Sequence, residues 1–369
     1  MNILVDAHMV GNRETGNETY VVNLLAALNE IVDSKLGAII DPKLQLPSLW
    51  NETAFDKIPL QTTGNWQRLL TGIPRICNHW QADLLHITYI APFTRQCPLV
   101  VSVHDVSFKI FPKYFSPRDR LLFKTLLPLS LKRATAIITL SQHAKNEILH
   151  YFPFLKGKVY AIPLAASNSF KKLSDQKRVE NVLAKYGVST PFIMAVGNLQ
   201  PRKNLVHLIK AFAKVAEQEK NYQLVIIGKE QWQSSEVFKM VEALDLRSQV
   251  LFPGYVSDPD LVCFYNAAAL FVYPSVYEGF GLPILEAMSC GTPVVTSNIS
   301  SMPEVAGEAA LLVNPHDINE ISDAISRIIS DSQFADELSS RGQKKAANFS
   351  WLNTASKTID VYKSVLDKH

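Results

Sequence analysis

Short unbroken apolar runs alternate with longer segments of helical period along the whole chain. In the first half the runs are "NILVDA" (2–7), "LLHIT" (84–88), "PLVVSVHD" (98–105) and "TAIITLS" (135–141), with helical patterns such as "ETYVVNLLAALNEI" between them. Runs of this length, ended by polar or turn residues, predict strands. Strands covered on both faces in a parallel sheet lose the in-out alternation, as these do. The second half repeats the scheme with "FIMAVG" (192–197), "YQLVIIG" (222–228), "QVLFPG" (249–254), "ALFVYP" (269–274) and "PVVTS" (293–297). The pattern predicts an α/β chain of two doubly wound, Rossmann-like domains. Between them "IPLAASNSFKKLSDQ" carries Pro163, small polar residues and no periodicity, which places the linker near 163–175. The expected division is 1–170, 171–349 and a closing segment, 350–369. In that segment Trp351, Ala355, Ile359, Tyr362 and Val365 recur at helical spacing. A cleft between the two domains is the expected ligand site.

Composition narrows the classes. With 369 residues, 47% of them hydrophobic and 19% charged, the chain can bury ample core. The four cysteines have neither CxxC nor Cys/His ligand spacing, and no secretory signal is expected before Asp6, so a reducing cytoplasm is the expected setting. The longest apolar run, around 261–274, is broken by Asn266 and falls short of the roughly 20 residues a bilayer span requires. A net charge of +3 is too mild to imply nucleic acid. The charge is local, however: between 104 and 134 Lys109, Lys113, Arg118, Arg120, Lys124, Lys132 and Arg133 stand against Asp105 and Asp119. Phenylalanines and leucines interleave with them. Such a segment, 109–133, suits peripheral contact with the inner face of an anionic membrane or a lipid-diphosphate acceptor, and equally a solvated helix with its core face.

The chemistry concentrates in the second half. P-loop and GxGxxG signatures are missing where they would be expected, which argues against P-loop NTPases and ordinary dinucleotide oxidoreductases. Instead "YPSVYEGFGLPILEAMSCGTPVV" places Glu278 before, and Glu286 after, a Gly-Phe-Gly-Leu-Pro kink. Residues 279–283 cannot be continuous helix, so Glu278 is expected in the loop and Glu286 in the first turn of a helix starting near Pro283. A carboxylate accepts two hydrogen bonds in a fork, which suits a ribose diol or a sugar hydroxyl pair. Alone, Glu286 would equally serve the helix dipole. "AVGNLQPRKNLVHLI" presents Arg202 and Lys203 at the start of the next predicted helix, where they could clamp a diphosphate. His104, at a predicted strand's C-terminal end, is a site candidate by position, although a buried hydrogen-bonded histidine fits as well.

The order "GNLQPRKN", "LFPGYVSD", "PSVYEGFGLPILEAMSCGTPVV" strongly resembles the retaining glycosyltransferases of family 4, of GT-B fold, over nearly the whole chain. The segment from Glu278 to Glu286 matches their E-x7-E motif. The resemblance implies that Glu286 binds the ribose diol, and that Glu278 with the main chain of Phe280, Gly281 and Leu282 holds the transferred sugar. It assigns the diphosphate to Arg202 and Lys203, and the base to the backbone of Val256. "DAHMVGNRETGNETYVVNLL" resembles the family's opening strand, loop and helix, with Gly16 as the glycine approaching the diphosphate. A second glycine usual nearby is replaced by Asn17-Glu18, and Asn198 stands where many relatives have arginine. "VVSVHDVSF" resembles the strand end of members using hexose donors, mannosyltransferases especially, with His104 beside the sugar. In such enzymes the final helix crosses back to the first domain.

The resemblance implies a hexosyltransferase using a GDP- or UDP-linked sugar, mannose favoured, with a cell-envelope or exopolysaccharide glycan or glycolipid as the expected acceptor. No Asp-x-Asp ends a predicted strand, so no metal or other cofactor is expected, and Arg202, Lys203 and helix N-termini would carry the leaving charge. The resemblance implies retention by front-face attack. A glycoside hydrolase would use two carboxylates without a diphosphate clamp. A catalytically silent nucleotide-sugar-binding protein would keep the clamp and lose Glu278, Glu286 or His104.

Overall fold

The computed structural model describes residues 1–12, 15–62, 64–94, 96–230 and 234–367. The chain divides into two compact units, one of residues 1–164 with 350–369, the other of residues 165–349.

In the first unit seven strands form one parallel sheet: β1 (Asn2–Asp6), β2 (Lys35–Ile40), β3 (Asp56–Pro59), β4 (Leu84–Thr88), β5 (Leu99–Ser102), β6 (Ala136–Thr139) and β7 (Val159–Ala161). Their order is β3-β2-β1-β4-β5-β6-β7. The second unit holds β8 (Phe192–Val196), β9 (Gln223–Ile227), β10 (Val250–Gly254), β11 (Leu270–Tyr273), β12 (Val294–Ser297) and β13 (Leu311–Val313), ordered β10-β9-β8-β11-β12-β13 and parallel throughout. Both sheets start in the middle and grow outward in two directions, so connections diverge between β1 and β4 and between β8 and β11. In open parallel sheets that divergence opens a crevice at the strands' carboxyl ends.

The hydrophobic runs explain the cores. Every residue of β5, β6, β11 and β12 is buried, as strands sandwiched between helix layers require. Four strands lie outside the predicted runs. Three of them, β3, β7 and β13, are sheet edges, and β3 carries Asp56, Lys57 and Pro59, residues tolerated where one side of the ladder is unpaired. The fourth, β2, contains Gly37, where a Cβ would lie 2.9 Å from the side chains of both Ile58 and Trp80.

The closing segment forms the helix Trp351–Leu366, capped by Ser350, whose hydroxyl accepts from the Asn353 amide at 3.1 Å. Trp351, Ala355, Ile359, Tyr362 and Val365 are all buried. This helix packs within the first unit against the helix Thr15–Ile31. The Thr354 hydroxyl donates to the Pro163 carbonyl at 2.7 Å.

Candidate functional site

A buried charge cluster of the second unit sits where its strand connections diverge. β8 ends at Val196, and Gly197 follows at φ +145°, with Lys203 lying across it: a Cβ at 197 would meet Lys203 Cε at 2.8 Å. At Gly228 a Cβ would fall 2.1 Å from the Gly197 carbonyl oxygen, so only glycine lets these two strand ends approach. Arg202 and Lys203 occupy the 3-10 turn Pro201–Lys203, and Asn204 is left-handed at φ 59° before the helix Leu205–Gln218 begins. They therefore precede that helix instead of opening it as the sequence suggested, because Asn204 breaks the backbone between turn and helix. The Asn204 side chain donates to the Pro315 carbonyl at 2.6 Å, fixing the break.

Glu278 arrives from the loop after β11. Its carboxylate accepts from Arg202 Nη1 at 2.6 Å and from Lys203 Nζ at 2.6 Å. Lys203 also donates to the Tyr273 hydroxyl at 2.5 Å, and Arg202 to the Tyr277 carbonyl at 3.3 Å and Gln200 Oε1 at 3.2 Å. The Glu278 backbone is tied as well: its amide donates to Ser300 Oγ at 3.1 Å, and its carbonyl accepts from Ser300 and Ser301 at 2.9 Å each. Glu278 is only 7% exposed. Burial alone would push its carboxyl up, but the adjacent Arg202 and Lys203 charges and their hydrogen bonds outweigh that and hold it at about 2.

Glu286 behaves in the opposite way. Gly281, left-handed at φ 102°, caps the helix Leu282–Cys290, so Glu286 is its fifth residue and lies just past the first turn expected to hold it. It is 9% exposed and accepts from the Tyr265 hydroxyl at 3.0 Å. Burial pushes its carboxyl up to about 8; the Tyr265 bond opposes this, Asp258 adds to it and Lys203 works against it. Lys203 thus acts on both carboxylates. Two carboxyl groups a few residues apart carry different charge at neutral pH, an arrangement typical of functional sites.

The remaining residues of this unit take fixed positions. Val256 is buried in the turn between β10 and the helix Asp258–Ala267, two residues before the Asp258 whose charge reaches Glu286. Phe280 is buried edge-on to Phe349, and its carbonyl accepts from Ser301 Oγ at 2.8 Å. Tyr265, Tyr273, Ser300 and Ser301 were not singled out from sequence; of these only Tyr273 carried a signal, an aromatic at the end of an apolar run.

In the first unit His104 lies two residues beyond the end of β5, 7% exposed. The rings of Tyr20 and Tyr89 meet it edge-on, with centroids at 4.8 and 5.8 Å. Its buried Nε2 has no hydrogen-bond partner among the described residues. Burial lowers its pKa to about 4, so the ring is neutral near pH 7. Gly16 is exposed in the first turn of Thr15–Ile31, and a Cβ there would meet nothing within 4 Å. The loop before it includes residues 13 and 14, outside the described residues. The turn itself requires Gly11 (φ 98°), whose amide donates to Glu18 at 2.8 Å. Asp6, at the end of β1, pairs with Arg68 at 2.6 Å and His8 at 2.9 Å, a buried cluster whose long-range partner no spacing revealed.

Residues 179–345 match the family model described as glycosyl transferases group 1, and residues 40–166 match the model of glycosyltransferase family 4. The chain is 37% identical over 267 residues to the O-antigen chain mannosyltransferase B of Escherichia coli, covering 72% of this chain and 70% of that protein. It is 36% identical over 239 residues to the serotype-specific mannosyltransferase WbdA of E. coli; that match covers 64% of this chain and only 29% of the longer relative. Among solved structures, sucrose-phosphate synthase from Thermosynechococcus elongatus superposes with a TM-score of 0.80 at 21% identity, covering both chains completely.

Proposed function

The chain belongs to the group 1 glycosyltransferases, of GT-B fold, and is a hexosyltransferase; from that premise we propose that it moves mannose from a nucleotide-diphosphate sugar to a growing cell-surface glycan or its lipid-diphosphate-linked precursor. Mannose and the cell-surface glycan are proposed because two relatives are named O-antigen or serotype-specific mannosyltransferases. The observation that carries the reading is the Arg202–Lys203–Glu278 cluster with Glu286 beside it.

Arg202 and Lys203 bind the diphosphate, one as a fork and one as a point charge, and neutralise the charge that grows as the glycosidic bond breaks. Glu286 accepts from the ribose diol, Glu278 from sugar hydroxyls, and the Val256 backbone meets the base. His104 in the first unit offers a neutral Nε2 to a hydroxyl of the transferred sugar, and the Gly16 backbone approaches the diphosphate. In the retaining step the acceptor oxygen bonds to the anomeric carbon on the face the leaving group departs. The bond from that carbon to the diphosphate oxygen breaks, and the acceptor's proton passes to the departing diphosphate. This chemistry asks for no metal ion.

The acceptor side rests on the helix Pro117–Arg133. Arg118, Arg120, Lys124 and Lys132 are exposed there beside Leu121 at 63% and Leu129 at 54% exposure. A basic face interrupted by exposed leucines suits an anionic lipid surface. No helix among the described residues is long and apolar enough to cross a membrane.

The test is turnover. GDP-mannose, with a mannosylated lipid-diphosphate acceptor, should yield GDP and an α-linked product, retention being read by NMR of the new anomeric proton. A β-linked product would overturn the retaining mechanism, and turnover only of another nucleotide sugar would overturn the choice of mannose.

A further inference from the structure

The first unit contains a buried polar row that the reading above leaves unused. Tyr362, on the helix Trp351–Leu366, is 2.5 Å through its hydroxyl from His86 Nδ1. His86 Nε2 is 2.7 Å from Ser102 Oγ, and Ser102 Oγ is 2.9 Å from the Tyr20 hydroxyl. All four residues are essentially inaccessible to water, at 0% (Tyr362, Ser102) and 1% (His86, Tyr20). Four elements meet in the row: β4, β5 and two helices that pack on each other. Interior polar groups are costly unless satisfied, and each of these four has a partner.

The row ends at His104. Tyr20, its last member, holds its ring edge-on to the His104 ring at 4.8 Å, while Ser102 precedes His104 by two residues on the same chain. Among the described residues the His104 Nε2 has no hydrogen bond of its own to orient the ring. Its orientation therefore depends on the rings around it, and the position of the Tyr20 ring depends on its hydroxyl bond to Ser102. A row with every member bonded resists rotation of any one of them.

We infer that Tyr20, Ser102, His86 and Tyr362 are positioning residues for His104, so that the C-terminal helix contributes to sugar transfer through the Tyr362 hydroxyl, 276 residues from its partner His86. The inference rests on the assignment of His104 to the donor sugar. The histidine is placed by a hydroxyl on an element far from it in sequence, not by a neighbour in its own loop.

Histidine ring 15N–1H NMR of the full chain, without donor, gives the direct test. Tyr362→Phe keeps the ring and its packing and removes one oxygen. It is expected to move the signals of His104 as well as those of His86, and Ser102→Ala should do the same, while His207 and His316 of the second unit stay unmoved. A change confined to His86 would overturn the inference. So would a general shift that includes His207 and His316, because it would mark loss of structure. The kinetic arm uses slow hydrolysis of GDP-mannose. Tyr362→Phe should lower kcat about five- to tenfold with KM within about twofold, and should have less than about a twofold effect in a His104→Ala background. Equal losses in both backgrounds would overturn the row's action through His104 and leave the sugar-binding role of His104 standing. Unchanged hydrolysis in His104→Ala would overturn that role and the inference with it.

Discussion

Replacing Glu278 with glutamine removes one negative charge from a cluster that holds two positive ones. The Lys203 side chain is 10% exposed and that of Arg202 25%, so little solvent is available to take over. The carboxyl is held at about 2 from an ordinary 4.5, which at 1.36 kcal/mol per pKa unit corresponds to about 3 kcal/mol of preference for the charged form. Removing one partner of a buried ion pair costs roughly 3–5 kcal/mol, in agreement. At roughly 2–4 °C per kcal/mol for a unit of this size, the ligand-free variant should melt about 6–12 °C below the parent at pH 7. Because the folded-state pKa is depressed, this contribution is present above the ordinary value and is lost as the pH falls towards 2, so the gap between parent and variant should narrow below pH 4.5. A nucleoside diphosphate brings its own negative charge to Arg202 and Lys203. GDP should therefore raise the melting temperature of Glu278→Gln more than that of the parent, and bind it at least as tightly. Calorimetric melts at pH 7 and pH 4, with and without GDP, measure all three quantities. A variant that melts within 1 °C of the parent, or gains no more from GDP, would refute the reasoning.

At pH 8.5, where its carboxyl is mostly ionised, Glu286→Gln should weaken GDP binding about tenfold or more, since a charge-assisted hydrogen bond is worth roughly 1.5–3 kcal/mol; equal GDP losses in the Glu278 and Glu286 variants at that pH would refute the division of roles. With the Glu286 carboxyl at about 8, GDP affinity of the parent should rise between pH 6.5 and 8.5 as the acceptor ionises, and Glu286→Gln should be flat in calorimetric titrations over that range. The raised pKa has the opposite effect on folding: it favours the folded state below 4.5, and that contribution is lost as the pH rises through 8. Arg202→Ala and Lys203→Ala should lower kcat more than donor affinity if these side chains stabilise the leaving group, and steady-state kinetics showing both parameters unchanged would remove them from the mechanism. EDTA should leave transfer intact; an absolute requirement for manganese or magnesium would show that the leaving group is handled differently.

How far the sequence revealed this molecule depended on how local each signal was. The nine predicted runs are all strands; most are apolar because a strand covered on both faces must be, while β10, a half-buried edge, was legible from its apolar start and the Pro-Gly that ends it. The edge strand β3 was hidden by its polar residues and proline, and the edge strands β7 and β13, apolar but only three residues long, are too short to show as runs. Arg202, Lys203, Glu278 and Glu286 were legible because they lie in two short motifs directly after strands. Their mutual pairing was not, since 76 residues separate Arg202 from Glu278. The opposed charge states of the two glutamates depend on who sits beside each, which spacing does not encode. His86 looked like any strand residue, and only the fold places it between Tyr362 and Ser102.

The central claim is that Arg202, Lys203, Glu278 and Glu286 hold a nucleotide sugar for transfer. A panel of GDP- and UDP-linked hexoses, each incubated with the full chain and scored for release of nucleoside diphosphate, tests it most directly. The account predicts that one hexose donor is strongly preferred, GDP-mannose first, and that release from it collapses in Arg202→Ala and in Glu278→Gln. Release from no donor by a folded protein, or release undiminished in both variants, would contradict it.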